Sequence, residues 1–171
     1  MEDETRRTSS FMLFVLLAYG AIWGLFGLGK WFAIPFSMNP RAPGGMFYLV
    51  GAALPSLCAI VAVSVFERRE GLRRLMQRSL AWRFSPFWYL AAILIPFAVT
   101  GINAMIAMLF LGASAPQHWF VPAFGPGFLL FFLVYNGLGE EIGWRGLALP
   151  VLQRHLGALG GNIAVGVIWA L

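Results

Sequence analysis

The chain has 171 residues, 60% of them hydrophobic and only 11% charged, with a mean hydropathy of +0.77. So apolar a composition excludes a water-soluble globule and points to an integral membrane protein. The net charge of +5 does not call for a nucleic-acid partner, because the basic residues fall between apolar runs, where they orient a chain in the bilayer.

Uncharged runs from Phe11 to Gly29, Met46 to Phe66, Phe84 to Gln117 and Trp119 to Gly139 are each long enough to cross roughly 30 Å of hydrocarbon as helix. A further run extends from Leu156 to Leu171. The expected fold class is all-α: a polytopic transmembrane helical bundle of about five spans, one per run, forming a single transmembrane domain over 1–171. The first run reads as a retained span rather than a signal peptide, since Glu2, Asp3 and Glu4 precede Arg6 and Arg7 and the apolar stretch continues past Ala18-Tyr19-Gly20. Trp169, Ala170 and Leu171 leave the last run without a polar flank, as expected of a C-terminally truncated piece of a longer protein.

Between the second and third runs, Glu67 to Arg83 holds six arginines, against two basic residues from Lys30 to Arg41 and none from Ala113 to Pro126. The positive-inside rule therefore places that loop, the N-terminus and Arg154 in the cytoplasm. Leu72, Leu75, Met76 and Leu80 recur at helical spacing opposite Arg69, Arg73, Arg74 and Arg78, the pattern of a basic helix lying on anionic headgroups. Gly20 with Gly24, Gly139 with Gly143, and Gly157 with Gly161 have the spacing that lets helix backbones approach. Pro55 and Pro96 should kink the second and third spans, and Pro150 should end or bend the fourth. Cys58 reads as a core residue, with no partner for a disulfide.

The stretch Asn136 to Gly146, NGLGEEIGWRG, then puts charge where lipid is expected. At about 1.5 Å per residue from Gly127, Glu140 falls roughly 20 Å down the fourth span, in the inner third of the hydrocarbon. Each central charge costs on the order of 2.5–3.5 kcal/mol, and each Leu, Phe or Val returns about 0.3–0.6, so the apolar residues from Phe128 to Leu138 offset roughly one charge. Glu141 and Arg145 are four apart, acid first, and can pair on one face. Glu140 points about 100° away, on the face of Asn136, and desolvation beside a like charge predicts a raised pKa suited to a general acid or base. Glycines at 137, 139, 143 and 146 should leave room for water or an extended peptide. The bland reading of Glu141 and Arg145 is an ion pair that locks helices together, and the two readings of that pair weigh about equally.

Exclusion narrows the chemistry. His118 and His155 lack the spacing of a zinc H-E-x-x-H motif, Asp3 is the single aspartate, and Ser56 and Ser64 have no histidine beside them in sequence. Activation of water by glutamate remains.

The stretch EEIGWRGLALPVLQRHLG, followed by GGNIAVGVIWAL, resembles the CPBP family, the type II CAAX prenyl endopeptidases and their bacterial Abi relatives. Its E-E-x-x-x-R signature is matched by Glu140, Glu141 and Arg145, with the signature region at about 127–171. The resemblance implies an intramembrane endopeptidase of the CAAX type, cleaving near the cytoplasmic face of a plasma membrane of prokaryotic kind. Glu140 would activate the water, and Glu141 and Arg145 would orient the site or hold substrate. The implied partners are the lipid bilayer and a protein or peptide substrate, prenylated in CAAX processing. Two accounts of the cofactor stay open, a divalent metal such as zinc and a metal-free glutamate mechanism. Trp169 matches the aromatic position of a second motif, aromatic-x-x-x-His, whose histidine falls beyond Leu171, so the chain by itself is expected to be inactive. Two other functions compete: a noncatalytic bacteriocin-immunity or scaffold protein, and a transporter in which Glu140 relays protons, with Asn103 and Asn162 as the other polar groups in spans.

Overall fold

The computed structural model describes residues 2–37, 39, 42, 44–112, 114, 135 and 137–170. In chain order these form α1 (Glu2–Trp31), α2 (Gly45–Phe66), α3 (Arg68–Ser79), α4 (Pro86–Leu111), a π-helical segment (Ile142–Ala148) and α5 (Leu149–Ala170), and no strand occurs among them. α1, α2 and α4 are long and apolar enough to cross a membrane. The expected all-α membrane bundle is therefore found, with three such spans among the described residues. Most of the fourth expected span lies outside them. α5 covers the fifth run, but its polar start at Gln153, Arg154 and His155 shortens the apolar part.

The chain divides into two compact units, Met1–Leu80 with Leu129–Leu171, and Ala81–Phe128. In the second unit α4 starts with Pro86 at its first turn, where the missing N–H costs nothing, and stops at Gly112 in the left-handed conformation. The helix continues through Pro96, where Thr100 Oγ1 donates to the Pro96 carbonyl at 2.8 Å.

The first unit is built on α1 packed along α2. Phe11, Phe14 and Ala18 lie three and four apart on α1, and Ala52, Ser56, Ala59, Ala62 and Val63 repeat at the same spacing on α2, so each helix buries one stripe. The alanines bring the α2 backbone close to α1. Inside lipid that close van der Waals packing, rather than removal of surface from water, holds helices together. Large side chains on the outer faces, Leu16, Trp23, Phe26, Leu57 and Val61 among them, stay exposed for the same reason. Cys58 is buried in this core, as expected.

After α2 the chain turns through Arg68 at φ 56°, a left-handed conformation unusual for a side-chain-bearing residue, and Gly71 then fits where a Cβ would lie 2.2 Å from Glu67 Cβ. α3 is thereby folded back on the bundle. Leu75 is buried, with Leu72 and Met76 packed against the core, and the Leu75 side chain reaches Gly146 of the π-helical segment. Leu72, Leu75 and Met76 of the expected apolar stripe thus pack on protein rather than facing headgroups, while Leu80 stays exposed.

Two further expectations change. Pro150 sits second in α5, a position helices tolerate, and the helix runs on to a break at Gly157 (φ 72°, ψ 175°), a conformation open essentially to glycine. Of the three glycine pairs, Gly139 with Gly143 meets a neighbouring helix; Gly20, Gly24 and Gly157 face open space, and Gly161 abuts Gln153 of its own helix.

Candidate active site

Tyr135 and residues 137–143 are fastened along α2. A Cβ on Gly139 would stand 2.3 Å from the Ala52 carbonyl oxygen, and one on Gly143 would stand 2.6 Å from that of Pro55, so only glycine permits this approach. Ser56 Oγ donates to the Leu138 carbonyl at 2.6 Å and Tyr135 Oη to the Leu49 carbonyl at 2.5 Å. Polar side chains thus meet backbone acceptors in a layer without water to spare for them.

This register sets the depth of Glu140. Ala52 and Pro55 lie roughly 10–15 Å from the Gly45 end of α2 and about 17–21 Å from its Phe66 end, at 1.5 Å per residue. Glu140, between Gly139 and Gly143, is thus level with the middle part of α2. Gly127 and most of the run that precedes Glu140 lie outside the described residues. The glycines also act differently from the expectation: Gly139, Gly143 and Gly146 are filled by α2 and α3 atoms, and only Gly137 faces open space.

Immediately after Glu141 the helix widens into a π-helical segment, with the Leu149 N–H bonded to the Trp144 carbonyl. A π-turn of this kind changes the angular step between residues and is frequent at functional sites. Here Gly143, Trp144, Gly146, Leu147 and Ala148 are buried while Arg145 is exposed. Trp144 packs edge-on against Phe14, ring centroids 5.0 Å apart at 75°.

The predicted trio separates into two sets. Arg145 Nη1 and Glu141 Oε1 form an ion pair, as the spacing predicted, with side chains 67% and 41% exposed. Glu140 is half-buried, forms no ion pair among the described residues, and accepts a hydrogen bond at Oε2 from Trp169 Nε1–H at 3.2 Å. It lines an open-sided cavity of about 460 Å³ whose other walls are mostly apolar residues of α1 and α2, including Leu25, Phe47, Gly51 and Pro55, with Trp144 and Trp169 also in the lining. Neither Glu141 nor Arg145 lines this cavity. Glu140 is thus neither free in bulk solvent nor sealed in an ionic lock.

Trp169 reaches Glu140 because Tyr19 Oη donates to the Ile168 carbonyl, tying the end of α5 to α1. The Pro55 ring removes the donor that would otherwise engage the Gly51 carbonyl in the helix, so the cavity wall combines apolar surface with a backbone lacking its usual bond. Lys30, at the far end of α1, is the other charged residue in the lining. Sequence reasoning missed Lys30 and Trp144: one reads as an ordinary span terminus, the other as one apolar residue among many.

Other candidates fall away from Glu140. His155 is exposed on α5 and lines a separate groove with Glu4 and Thr8 of α1. Asn162 Nδ2 donates to the Ala158 carbonyl of its own helix, not to another helix. His118 and Asn136 lie outside the described residues. Among the described residues no three His, Cys, Asp or Glu side chains converge, and structural and catalytic zinc sites draw on three or four such ligands. The described donors do not make a zinc shell.

No curated protein and no solved structure matches the chain. Residues 122–171, which contain Glu140, the π-helical segment and all of α5 up to Ala170, match the family described as Rce1-like, Type II CAAX prenyl endopeptidase Rce1-like. The family that the E-E-x-x-x-R stretch resembles, the type II CAAX prenyl endopeptidases, is thus the family to which this part of the chain is matched.

Proposed function

We propose that the protein is an intramembrane endopeptidase of the CAAX type, in which the Glu140 carboxylate activates water for attack on a peptide bond. The observation that carries this reading is the placement of Glu140: a carboxylate without an ion-pair partner among the described residues, held by Trp169, on the wall of a mostly apolar cavity level with the middle part of α2. A group so placed pairs with no described cation and can reach water admitted to the cavity, which is what a general base requires. In this scheme Glu140 accepts a proton from water as its oxygen bonds to the scissile carbonyl carbon. The carboxylic acid then returns that proton to the departing amine nitrogen as the C–N bond breaks.

Glu141 and Arg145 have a positioning role. Their ion pair spans the start of the π-helical segment beside Glu140 and supports the local backbone, whose course is set by the buried Trp144, Leu147 and Ala148. The apolar walls suit a substrate with a hydrophobic or prenylated residue beside the scissile bond. The arginine-rich α3 end, read as cytoplasmic, lies about 17–21 Å from the level of Glu140, so substrate must enter the bilayer to be cut.

The test is hydrolysis by the reconstituted full-length parent protein of two peptides, one carrying a farnesylated CAAX terminus and one an unprenylated transmembrane segment, with and without Glu140→Gln. Loss of cleavage in the variant supports the reading. Preference for the farnesylated peptide assigns the CAAX substrate class. Equal cleavage by variant and parent would remove Glu140 from the chemistry, and no cleavage by the parent protein would favour a scaffold role.

A further inference from the structure

At the Phe66 end of the first unit, arginines from three separate elements meet at one cleft: Arg7 of α1, Arg74 and Arg78 of α3, and Arg154 of α5, with Glu67 the single acid in the lining. Two of the four are compensated. Arg7 bonds Asp3 at 2.7 Å, and Arg74 bonds Glu67 at 3.0 Å with Asp3 at 3.7 Å and Glu70 at 3.8 Å. Arg78 and Arg154 form no ion pair among the described residues, although all seven acidic residues of the chain are described. Like charges are therefore held together on packed helices with half of their countercharge missing.

Two buried polar atoms add to this. Among the described residues Arg7 Nε and Ser79 Oγ are buried without a hydrogen-bond partner, and both belong to this end of the unit; Ser79 Oγ lies 2.7 Å from where a Cβ on Gly146 would stand, and Gly146 lines the cleft. A buried donor left unmade costs about 1–3 kcal/mol, so such groups in native structures ordinarily meet a ligand or water.

From this juxtaposition we infer that Arg78 and Arg154, backed by Arg7 and Arg74, form a binding site for a phosphate group, separate from the cavity at Glu140. The enclosed volume is only about 20 Å³, so the phosphate sits across the mouth of the cleft, on the two exposed guanidinium groups, rather than sinking into it. Two uncompensated arginines match the charge of about −1.5 to −2 on a phosphate monoester near neutral pH, and guanidinium presents paired donors to its oxygens. Burial, followed by the fields of Arg154, Arg7 and Arg74, pushes the Arg78 guanidinium below its ordinary pKa, the cost that a bound anion would relieve. Position at the ends of apolar helices, where anionic headgroups stand, favours phosphate carried by a lipid over phosphate free in solution. This site differs from adsorption of a basic helix on a membrane, because α3 spends its apolar face on the protein core and the arginines come from three elements.

The experiment uses the purified full-length protein in a neutral detergent, titrated with a short-chain phosphatidic acid, with the matching phosphatidylcholine and with inorganic phosphate, and read by native mass spectrometry. Arg78→Gln with Arg154→Gln removes the two unpaired groups, while Arg68→Gln with Arg69→Gln removes equal charge elsewhere on α3. Phosphatidic acid should bind the parent and the Arg68/Arg69 variant alike, and bind the Arg78/Arg154 variant about thirtyfold more weakly. Saturable, Arg78/Arg154-dependent binding of inorganic phosphate at similar concentration would keep the site and assign it to soluble phosphates. Equal weakening in both variants, equal binding of phosphatidylcholine, or no binding at all overturns the proposal. Arg78 and Arg154 are exposed and unpaired, so folding is preserved, which far-UV circular dichroism and the thermal unfolding midpoint of each variant verify independently.

Discussion

The indole N–H of Trp169 donates to the Glu140 carboxylate at 3.2 Å, joining two positions 29 residues apart in the chain. Glu140 therefore does not hang freely into its cavity; one oxygen is held and the other remains for water. A hydrogen bond to a charged acceptor contributes about 1.5–3 kcal/mol, enough to set the direction of the carboxylate.

Replacing Trp169 by Phe keeps the ring and removes the donor. The turnover number should fall roughly tenfold to a hundredfold, the rate equivalent of that bond, with little change in KM. Peptide hydrolysis by the reconstituted variant measures it. A KM effect alone would mean that Trp169 contacts substrate rather than Glu140.

Packing predicts a contrast between glycines that look equivalent in sequence. Gly139→Ala and Gly143→Ala force a methyl group into the Ala52 and Pro55 carbonyls and should cost about 1–3 kcal/mol, lowering the unfolding midpoint in detergent by several degrees. Gly20→Ala and Gly24→Ala meet open space and should leave the midpoint unchanged or raise it slightly. A thermal scan of the four variants compares them directly, and equal loss from both pairs would contradict the α2 register.

The ion pair makes a third prediction. Glu141→Gln and Arg145→Gln should each lower activity less than Glu140→Gln, because neither side chain lines the cavity. The double exchange Glu141→Arg with Arg145→Glu restores opposite charges four apart and should recover part of the loss. Initial rates for these variants decide it; no recovery in the double variant would mean that one of these groups touches the substrate.

How far the sequence foretold this arrangement depends on which force was at work. The long helices follow from uninterrupted apolar runs, and the Glu141–Arg145 pair from a spacing of four, both local properties. The separate face of Glu140 follows from the same helical geometry. The π-helical segment does not, because a widened turn has no residue preference strong enough to read, and the segment is set by packing of Trp144, Leu147 and Ala148. Nor could spacing tell Gly139, which meets α2, from Gly24, which meets nothing. The stripe of Leu72, Leu75 and Met76 was visible, but an apolar stripe fits a membrane surface and a protein core equally well. Pro150 drew attention as a helix breaker, whereas the break belongs to Gly157, whose backbone angles no composition predicts.

The central claim is that the Glu140 carboxylate is the base. Its most direct test is single-turnover cleavage of a membrane-embedded peptide by the reconstituted protein and by Glu140→Gln, a change that preserves size and the Trp169 contact while removing the proton acceptor. The account predicts a rate lower by about 10²–10⁴ with peptide binding intact. A Glu140→Gln protein that cleaves at the parent rate would contradict it.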